Sequence, residues 1–322
     1  MVELNSCALV GPGAIGLYYG GLLAKAGIGL QVFGRTDYAV LRSDGITIRL
    51  INIKSGQPEA IYQVKPEAVE QDAHLLNSVQ WIIIAAKSTA NQNLLPALQA
   101  LVRSKTTILL TLQNGMGNVD FLAKHFPENP ILAGLCFVCV NRVAPAVVEN
   151  YLPGRMEIGS FRDRYSEAAE QAVLALDRSG VICRKAPALD AAIWRKLCWN
   201  VPFNGLAIAA GGITTDRILA DASLVSRAKK LMSELQDASA LEGYTIEDTF
   251  LQKQFEATQK MDAYRPSSLI DFLEGRDVEL EAIFREPLRR AQRLGLEMPE
   301  LERLYHEIAD AIIQRDSLRD IE

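Results

Sequence analysis

Up to about residue 185 the chain alternates short apolar runs with stretches of helical periodicity. Cys7–Val10, Leu30–Phe33, Trp81–Ala85, Thr107–Leu112 and Ile131–Val140 are rich in Val, Ile and Leu and predict strands. Lys87–Leu101 and Gly117–His125 predict helices between them. Strands joined by helical crossovers imply a largely parallel sheet covered on both faces. Ile46–Ile53 and Ile61–Val64, split by Ser55-Gly56-Gln57-Pro58, predict a hairpin. Val147–Tyr151 and Met156–Ser160, around Pro153-Gly154, predict a second hairpin, and Val181–Arg184 a last strand. After Pro187 the period lengthens, and Asp190–Ala210, Asp221–Glu242, Ile246–Met261 and Val278–Leu294 predict long helices. A final helix starts at Pro299. Gly211-Gly212, Pro266 and Gly295 fall at the breaks. The pattern therefore predicts an α/β half over residues 1–186 and an all-α half over residues 187–322, with no internal repeat.

Length and charge narrow the function classes. A chain of 322 residues exceeds what one core usually serves, in line with two domains. The net charge of −5, from 34 Lys+Arg against 39 Asp+Glu, lacks the basic field that nucleic-acid binding requires. Apolar runs such as Trp81–Ala86 fall far short of the ~20 residues that span a bilayer. Five cysteines are an odd, sparse set, so a disulfide framework is not expected. Glu3 stands where a signal peptide carries Lys or Arg, and no long apolar stretch follows. The expectation is a reduced, cytoplasmic protein that contacts neither nucleic acid nor membrane.

The first motif with chemistry is Gly11-Pro12-Gly13-Ala14-Ile15-Gly16, a G-x-G-x-x-G between a predicted strand and a predicted helix. In that setting Gly11 permits the tight turn and Gly13 lets a pyrophosphate approach the backbone. Gly16 allows close helix–strand packing, and the helix N-terminus faces the phosphates. The α/β half thus reads as a Rossmann-type dinucleotide-binding domain. An NAD site usually carries Asp or Glu at the end of the second strand. Here that strand runs into Gly34-Arg35-Thr36, and a guanidinium suits the 2′-phosphate of NADP. Asp37, two residues on, leaves room for NAD. Lys87 follows the strand ending at Ala86 and is a second candidate cofactor contact. Gln113-Asn114-Gly115 reads either as a plain turn or as an amide brought towards the nicotinamide.

The second motif lies in the all-α half. Lys196, Asn200 and Asn204 recur every four residues in the apolar helix around Trp194, Leu197, Trp199, Val201 and Phe203. Each step of four turns only about 40°, so the three form one polar stripe. Buried Lys and Asn require partners, which suggests the wall of a polar cavity. Pro202 is expected to kink this helix. An ammonium held against a ketone oxygen can stabilise developing charge and donate a proton during reduction. Further on, Asp277 reads as an N-cap and Glu279 as a first-turn carboxylate complementing the helix dipole. No metal is expected: His74, His125 and His306 lack ligand spacing. Cys136-x-x-Cys139 would point its side chains to opposite faces of a strand, which reads as structural, buried cysteine.

Taken together these residues resemble the ketopantoate reductase (2-dehydropantoate 2-reductase) family over nearly the whole chain. The resemblance is carried by the glycine motif, Lys87, Gln113-Asn114-Gly115 and Trp194-Arg195-Lys196-Leu197-x-x-Asn200-x-x-x-Asn204. Ser267-Ser268-x-x-Asp271 and Gly275-Arg276-x-x-Glu279 complete it. It implies a two-domain oxidoreductase with an interdomain active site, which reduces ketopantoate with NADPH to (R)-pantoate for pantothenate and coenzyme A synthesis. By position it makes Lys196 the general acid and Glu279 the residue that binds the substrate hydroxyl and orients Lys196. Asn200, Asn204 and Ser268 would hold the substrate, Asn114 would lie beside substrate and nicotinamide, and Arg35 and Lys87 would favour NADPH. The small anionic 2-oxo acid would be the only partner besides a possible second copy, since the family includes monomers and homodimers. Two stretches depart from the common pattern. Leu280–Pro287 replaces an acidic-aromatic-Ile-Asn-Gly run, and Leu135–Cys139 lacks the usual Thr and His; Arg265 stands where some members have Asn. Reduction of another 2-oxo or 3-oxo acid through Lys196 is therefore an alternative, and a non-catalytic NADP sensor is a second.

Overall fold

The computed structural model describes residues 3–319. The chain divides into two compact units. One holds the residues up to Gln113 together with Asn118–Leu189; the other holds Asn114–Gly117 and the residues from Asp190 onwards.

The first unit is built on β1 (Ser6–Val10), β2 (Gly29–Phe33), β5 (Ala68–Glu70), β6 (Trp81–Ile84), β7 (Ile108–Thr111) and β8 (Ile131–Ala144). These six run β5-β2-β1-β6-β7-β8 with every neighbouring pair parallel. Strand order reverses between β1 and β6, and ligands of such sheets bind outside the carboxyl ends at that point. Trp81–Ile84 and Ile108–Thr111 are buried throughout, as a sheet covered on both faces requires. The helices are α1 (Ala14–Lys25), α2 (Tyr38–Ser43), α3 (Asn91–Leu101), α4 (Asn118–His125) and α5 (Ser166–Arg178).

Beyond β8 the sheet continues as β9 (Val147–Ser160), β3 (Ile46–Ile51) and β4 (Pro58–Val64), with β10 (Cys183–Lys185) also pairing with β9. The β3–β4 and β8–β9 pairs are antiparallel, so the sheet is mixed. This extension curls around α1. Gly16–Leu23 is buried without interruption, and a side chain at Gly21 would run into Ile48 of β3. A helix apolar on every side is a core helix, which explains the absence of a polar stripe between Leu17 and Leu23.

The hairpin expected around Pro153-Gly154 does not exist. Val147–Ser160 is one strand, antiparallel to β8, and the turn that joins them is at Pro145-Ala146. Gly154 sits inside the strand at φ 65°, where a Cβ would run into the backbone at Phe137–Val138. The register shifts on the facing strand around Cys139, so a bulge, rather than a turn, uses this glycine. Cys136 and Cys139 are half-buried rather than buried, and none of the five cysteines is in a disulfide.

The second unit is helical: α6 (Leu189–Ala209), α7 (Thr215–Ala220), α8 (Ala222–Leu241), α9 (Asp248–Gln259), α10 (Ser267–Leu273), α11 (Glu286–Arg293) and α12 (Pro299–Arg319). Asp221 caps α8, its carboxylate accepting from the N–H groups of Ser223 at 2.8 Å and Leu224 at 3.2 Å. The helix expected over Val278–Leu294 starts later, at Leu280, and opens with a π turn, Glu281–Arg285, before α11. Asp277 is therefore not its cap, and Glu279 precedes the first turn instead of lying in it. The carbonyl of Glu279 still accepts from the Ile283 N–H at 3.0 Å. No helix among the described residues is long and apolar enough to cross a membrane.

Candidate active site

At the carboxyl end of β1 the chain turns through Gly11 at φ 88°, and a Cβ there would run into the Ala86 backbone. Gly16 packs as tightly, against the Gly11 carbonyl and the side chains of Leu9 and Ala85. Gly13 differs, because a Cβ on it would meet no heavy atom within 4 Å. Open space thus lies where α1 begins, and the first-turn N–H groups of Ala14, Ile15 and Gly16 have no helical partner of their own. This is the geometry that accepts an anionic group. Pro12 is accommodated because its neighbour Gly34 has no side chain; a Cβ there would fall 2.7 Å from the proline ring. Lys87 follows Ala86 directly, half-buried, beside this turn.

At the end of β2, Arg35 is exposed while Asp37 is only 4% exposed. Both carboxylate oxygens of Asp37 are engaged, one by Arg142 Nη2 at 2.8 Å and the other by the Ala146 N–H at 2.8 Å. Asp37 thereby ties the β8–β9 turn to the β2 loop. At the end of β7, Gln113 donates to the Ala86 carbonyl at 3.0 Å and to Asn91 Oδ1 at 2.8 Å. Asn91 in turn donates to Asn118 at 3.1 Å, so an amide chain fastens the ends of β6 and β7. Neither the Asp37 clamp nor this amide chain was expected, since each joins residues far apart in the sequence.

In the second unit, Lys196 Nζ on α6 donates to Asn114 Oδ1 at 2.9 Å. Asn204, 1% exposed, is held at both ends. Its amide nitrogen donates to the Asn200 carbonyl at 3.0 Å, and its oxygen accepts from the Ser268 N–H at 2.9 Å. Within the predicted stripe, Asn200 and Asn204 are therefore linked to each other, while Lys196 pairs with Asn114. Asn204 fastens the start of α10, with Ser268, to α6, while Asn200 and Ser268 are buried beside it. The helix stays continuous through Pro202.

What fixes Asn114 is a detail the sequence pattern did not announce. The Met116 N–H donates to the Ala282 carbonyl at 2.8 Å. Within the π turn the Glu286 N–H bonds back to the Glu281 carbonyl, five residues earlier. In that register the partner of the Ala282 carbonyl would be residue 287, a proline with no N–H. The carbonyl is free inside its own helix, and Met116 uses it. Gly115, at φ 83°, permits the approach, because a Cβ there would run into the Ala282 backbone. Asn114–Gly117 thus touches Lys196 through its first residue and the π turn through the next two. Glu279, 5% exposed, lies three residues before Ala282. Among the described residues no group of three or more His, Cys, Asp or Glu could hold a metal ion.

Comparison with known proteins converges on one family. The profile of ketopantoate reductase PanE/ApbA matches residues 7–163, and that of its C-terminal region matches residues 188–311. The 2-dehydropantoate 2-reductase of a Nostoc species is 31% identical over 306 residues, spanning 94% of this chain and 93% of that protein. The solved structure of 2-dehydropantoate 2-reductase from Geobacter metallireducens superposes with a TM-score of 0.87 at 31% identity, covering 95% of this chain and 99% of the other. That from Methylococcus capsulatus gives 0.84 at 27% identity, covering 96% and 97%.

Proposed function

Since the chain belongs to the ketopantoate reductase family, we propose that it reduces the 2-oxo group of 2-dehydropantoate to (R)-pantoate with NADPH, serving pantothenate and coenzyme A synthesis in the cytoplasm. The observation that carries the reading is the Lys196–Asn114 hydrogen bond of 2.9 Å, which aims a half-buried ammonium.

The nicotinamide cofactor supplies the hydride, and the open turn at Gly13 fits its pyrophosphate. Gly11, Pro12, Gly13, Ala14, Ile15 and Gly16 would form that cradle. Arg35 and Lys87 would favour the 2′-phosphate, while Asp37 is buried and already accepts a hydrogen bond at each oxygen.

When the carbonyl carbon of the substrate gains hydride, its oxygen becomes negative. Lys196 donates a proton to that oxygen and is left neutral, regaining its proton from solvent before the next turnover. Asn114 holds the ammonium in place. Glu279 binds the substrate hydroxyl and helps orient Lys196. Asn200 and Ser268 hold the polar groups of the substrate. Asn204 keeps one amide hydrogen for the substrate while it positions the other two.

Purified protein is tested with ketopantoate and either NADPH or NADH, followed at the nicotinamide absorbance. NADPH oxidation dependent on ketopantoate is expected. Lys196→Ala should lose about 10²–10⁴-fold in kcat, the usual contribution of a positioned acid. Full activity in that variant would remove Lys196 from the chemistry, and turnover of other 2-oxo acids without ketopantoate would remove the substrate.

A further inference from the structure

One stretch of chain grips both partners of the Lys196–Asn114 bond. The π turn holds Asn114–Gly117 through the Ala282 carbonyl, and α11 runs on from it to Arg290. Arg290 Nη2 pairs with Asp190 Oδ1, in the first turn of α6, at 3.0 Å, and its Nε donates to Glu242 Oε1. The second oxygen of Glu242 accepts from the indole N–H of Trp194, also on α6, at 2.8 Å. The Trp194 ring is wholly buried, and the side chains of Glu242 and Arg290 are 13% and 23% exposed. Nothing local calls for this carboxylate. Glu242 directly follows α8, where a negative charge opposes the helix dipole, and a shielded charge is costly unless paired.

Most residues of α6 are apolar and buried, and apolar burial has no direction. The rotation of the helix about its own axis is therefore left to directed bonds. At its far end Asn204 is tied to Ser268, but Pro202 intervenes and cannot return a bond to the Cys198 carbonyl. The turns around Lys196 have anchors of their own. On the lysine's side, Trp199 donates to Thr258 Oγ1 at 2.9 Å. On the opposite side, Asp190 and Trp194 lie within about 40° of each other, with Trp194 about 160° round the axis from Lys196. A rotation released there swings the ammonium away from Asn114. We propose that Glu242, fixed by the forked grip of Arg290, is a positioning residue for Lys196 and sets the rotation of α6 through the indole of Trp194. This rests on Lys196 being the proton donor, as proposed above. Because Ala282 and Arg290 belong to one continuous segment, the lysine and its amide partner are referred to the same piece of backbone.

The test uses the full chain as Trp194→Phe and Arg290→Lys, each alone and combined with Lys196→Ala, with ketopantoate and NADPH. Trp194→Phe should lower kcat about tenfold and keep the KM for NADPH within about threefold. In the Lys196→Ala background the same change should cost no more than about twofold, since its effect passes through the lysine. Arg290→Lys keeps the charge but not the fork, and should lose about threefold in kcat with the same dependence on Lys196. A readout free of turnover is acetylation of Lys196 by acetic anhydride, followed by mass spectrometry. It should quicken about threefold or more in both variants, as in Asn114→Ala, while the exposed Lys54 keeps its rate. Should Trp194→Phe not fold, Arg290→Lys decides. Wild-type kcat with unchanged labelling of Lys196 overturns the inference and leaves the reductase reading intact. So does a loss of equal size with and without Lys196, which marks a merely structural role. Faster labelling of Lys196 in a chain that reduces no 2-oxo acid would sink the reductase reading and keep the positioning of the lysine.

Discussion

Asp37 and Arg35 leave β2 two residues apart, and burial separates their roles. The Asp37 carboxylate is closed off by Arg142 and the Ala146 N–H, while the Arg35 side chain stays in solvent. Losing a charge-assisted bond to a phosphate costs about 1.5–3 kcal/mol. Arg35→Ala should therefore raise the KM for NADPH by roughly 10–100-fold and leave that for NADH nearly unchanged. Asp37→Ala strands a guanidinium and a buried N–H, a loss of about 3 kcal/mol seen as earlier urea unfolding, with no gain in NADH preference. Gly115 makes a separate residue-scale case. Its positive φ and its contact with the Ala282 backbone leave no room for a side chain. Gly115→Ala should displace Asn114 from Lys196, cutting kcat/KM at least about tenfold, and should lower the melting temperature as well. Gly11 and Gly115 were visible as glycines in the sequence. That the first meets Ala86 and the second Ala282 was not, because such contacts depend on which distant backbone comes close.

Regular elements followed hydrophobic period closely where nothing local interrupted them. β1, β2, β6, β7 and the α8 start at Asp221 fall within a residue or two of expectation. The failures share a cause. Pro153-Gly154 has the composition of a turn, but long pairing with β8 overrides it and absorbs the glycine in a bulge. Val278–Leu294 has the period of one helix, but Pro287 cannot donate to a carbonyl in the preceding turn, and a π turn takes up the mismatch. The π turn is also what frees the Ala282 carbonyl for Met116. Pro287→Ala restores an N–H that can compete for that carbonyl. Expected is an unchanged or raised melting temperature with kcat lowered about tenfold and KM for the dinucleotide unaffected; a parallel loss of stability and activity would count against this account.

At the scale of the whole molecule, the α/β half and the helical half were readable because short apolar runs alternating with helical stretches give way to long helical periodicity near Pro187. The candidate site was partly readable. The stripe of Lys196, Asn200 and Asn204 is visible in spacing alone, whereas spacing makes Glu279 a helix-dipole carboxylate and its proposed substrate role rests on family resemblance. Burial governs three of the thiols. It pushes Cys198 and Cys183 up to about 12, and Cys7 higher still. A thiolate is the reactive form, so these three should label slowly, with no acceleration between about pH 7 and pH 9. In the native protein an aromatic disulfide reagent should titrate no thiols quickly beyond Cys136 and Cys139, and all five cysteines in denaturant.

The grouping of Asn114–Gly117 with the helical residues has a consequence for recombination. A chimera made by joining the first half of one relative to the second half of another, at residues 189 and 190, does not exchange intact modules. The recipient half receives a foreign tetrapeptide in place of the one its π turn and lysine were matched to. Such hybrids should fold in both parts and still lose turnover, and grafting back residues 114–117 should restore it. Heredity at these four positions should follow the C-terminal half, although the chain places them in the other.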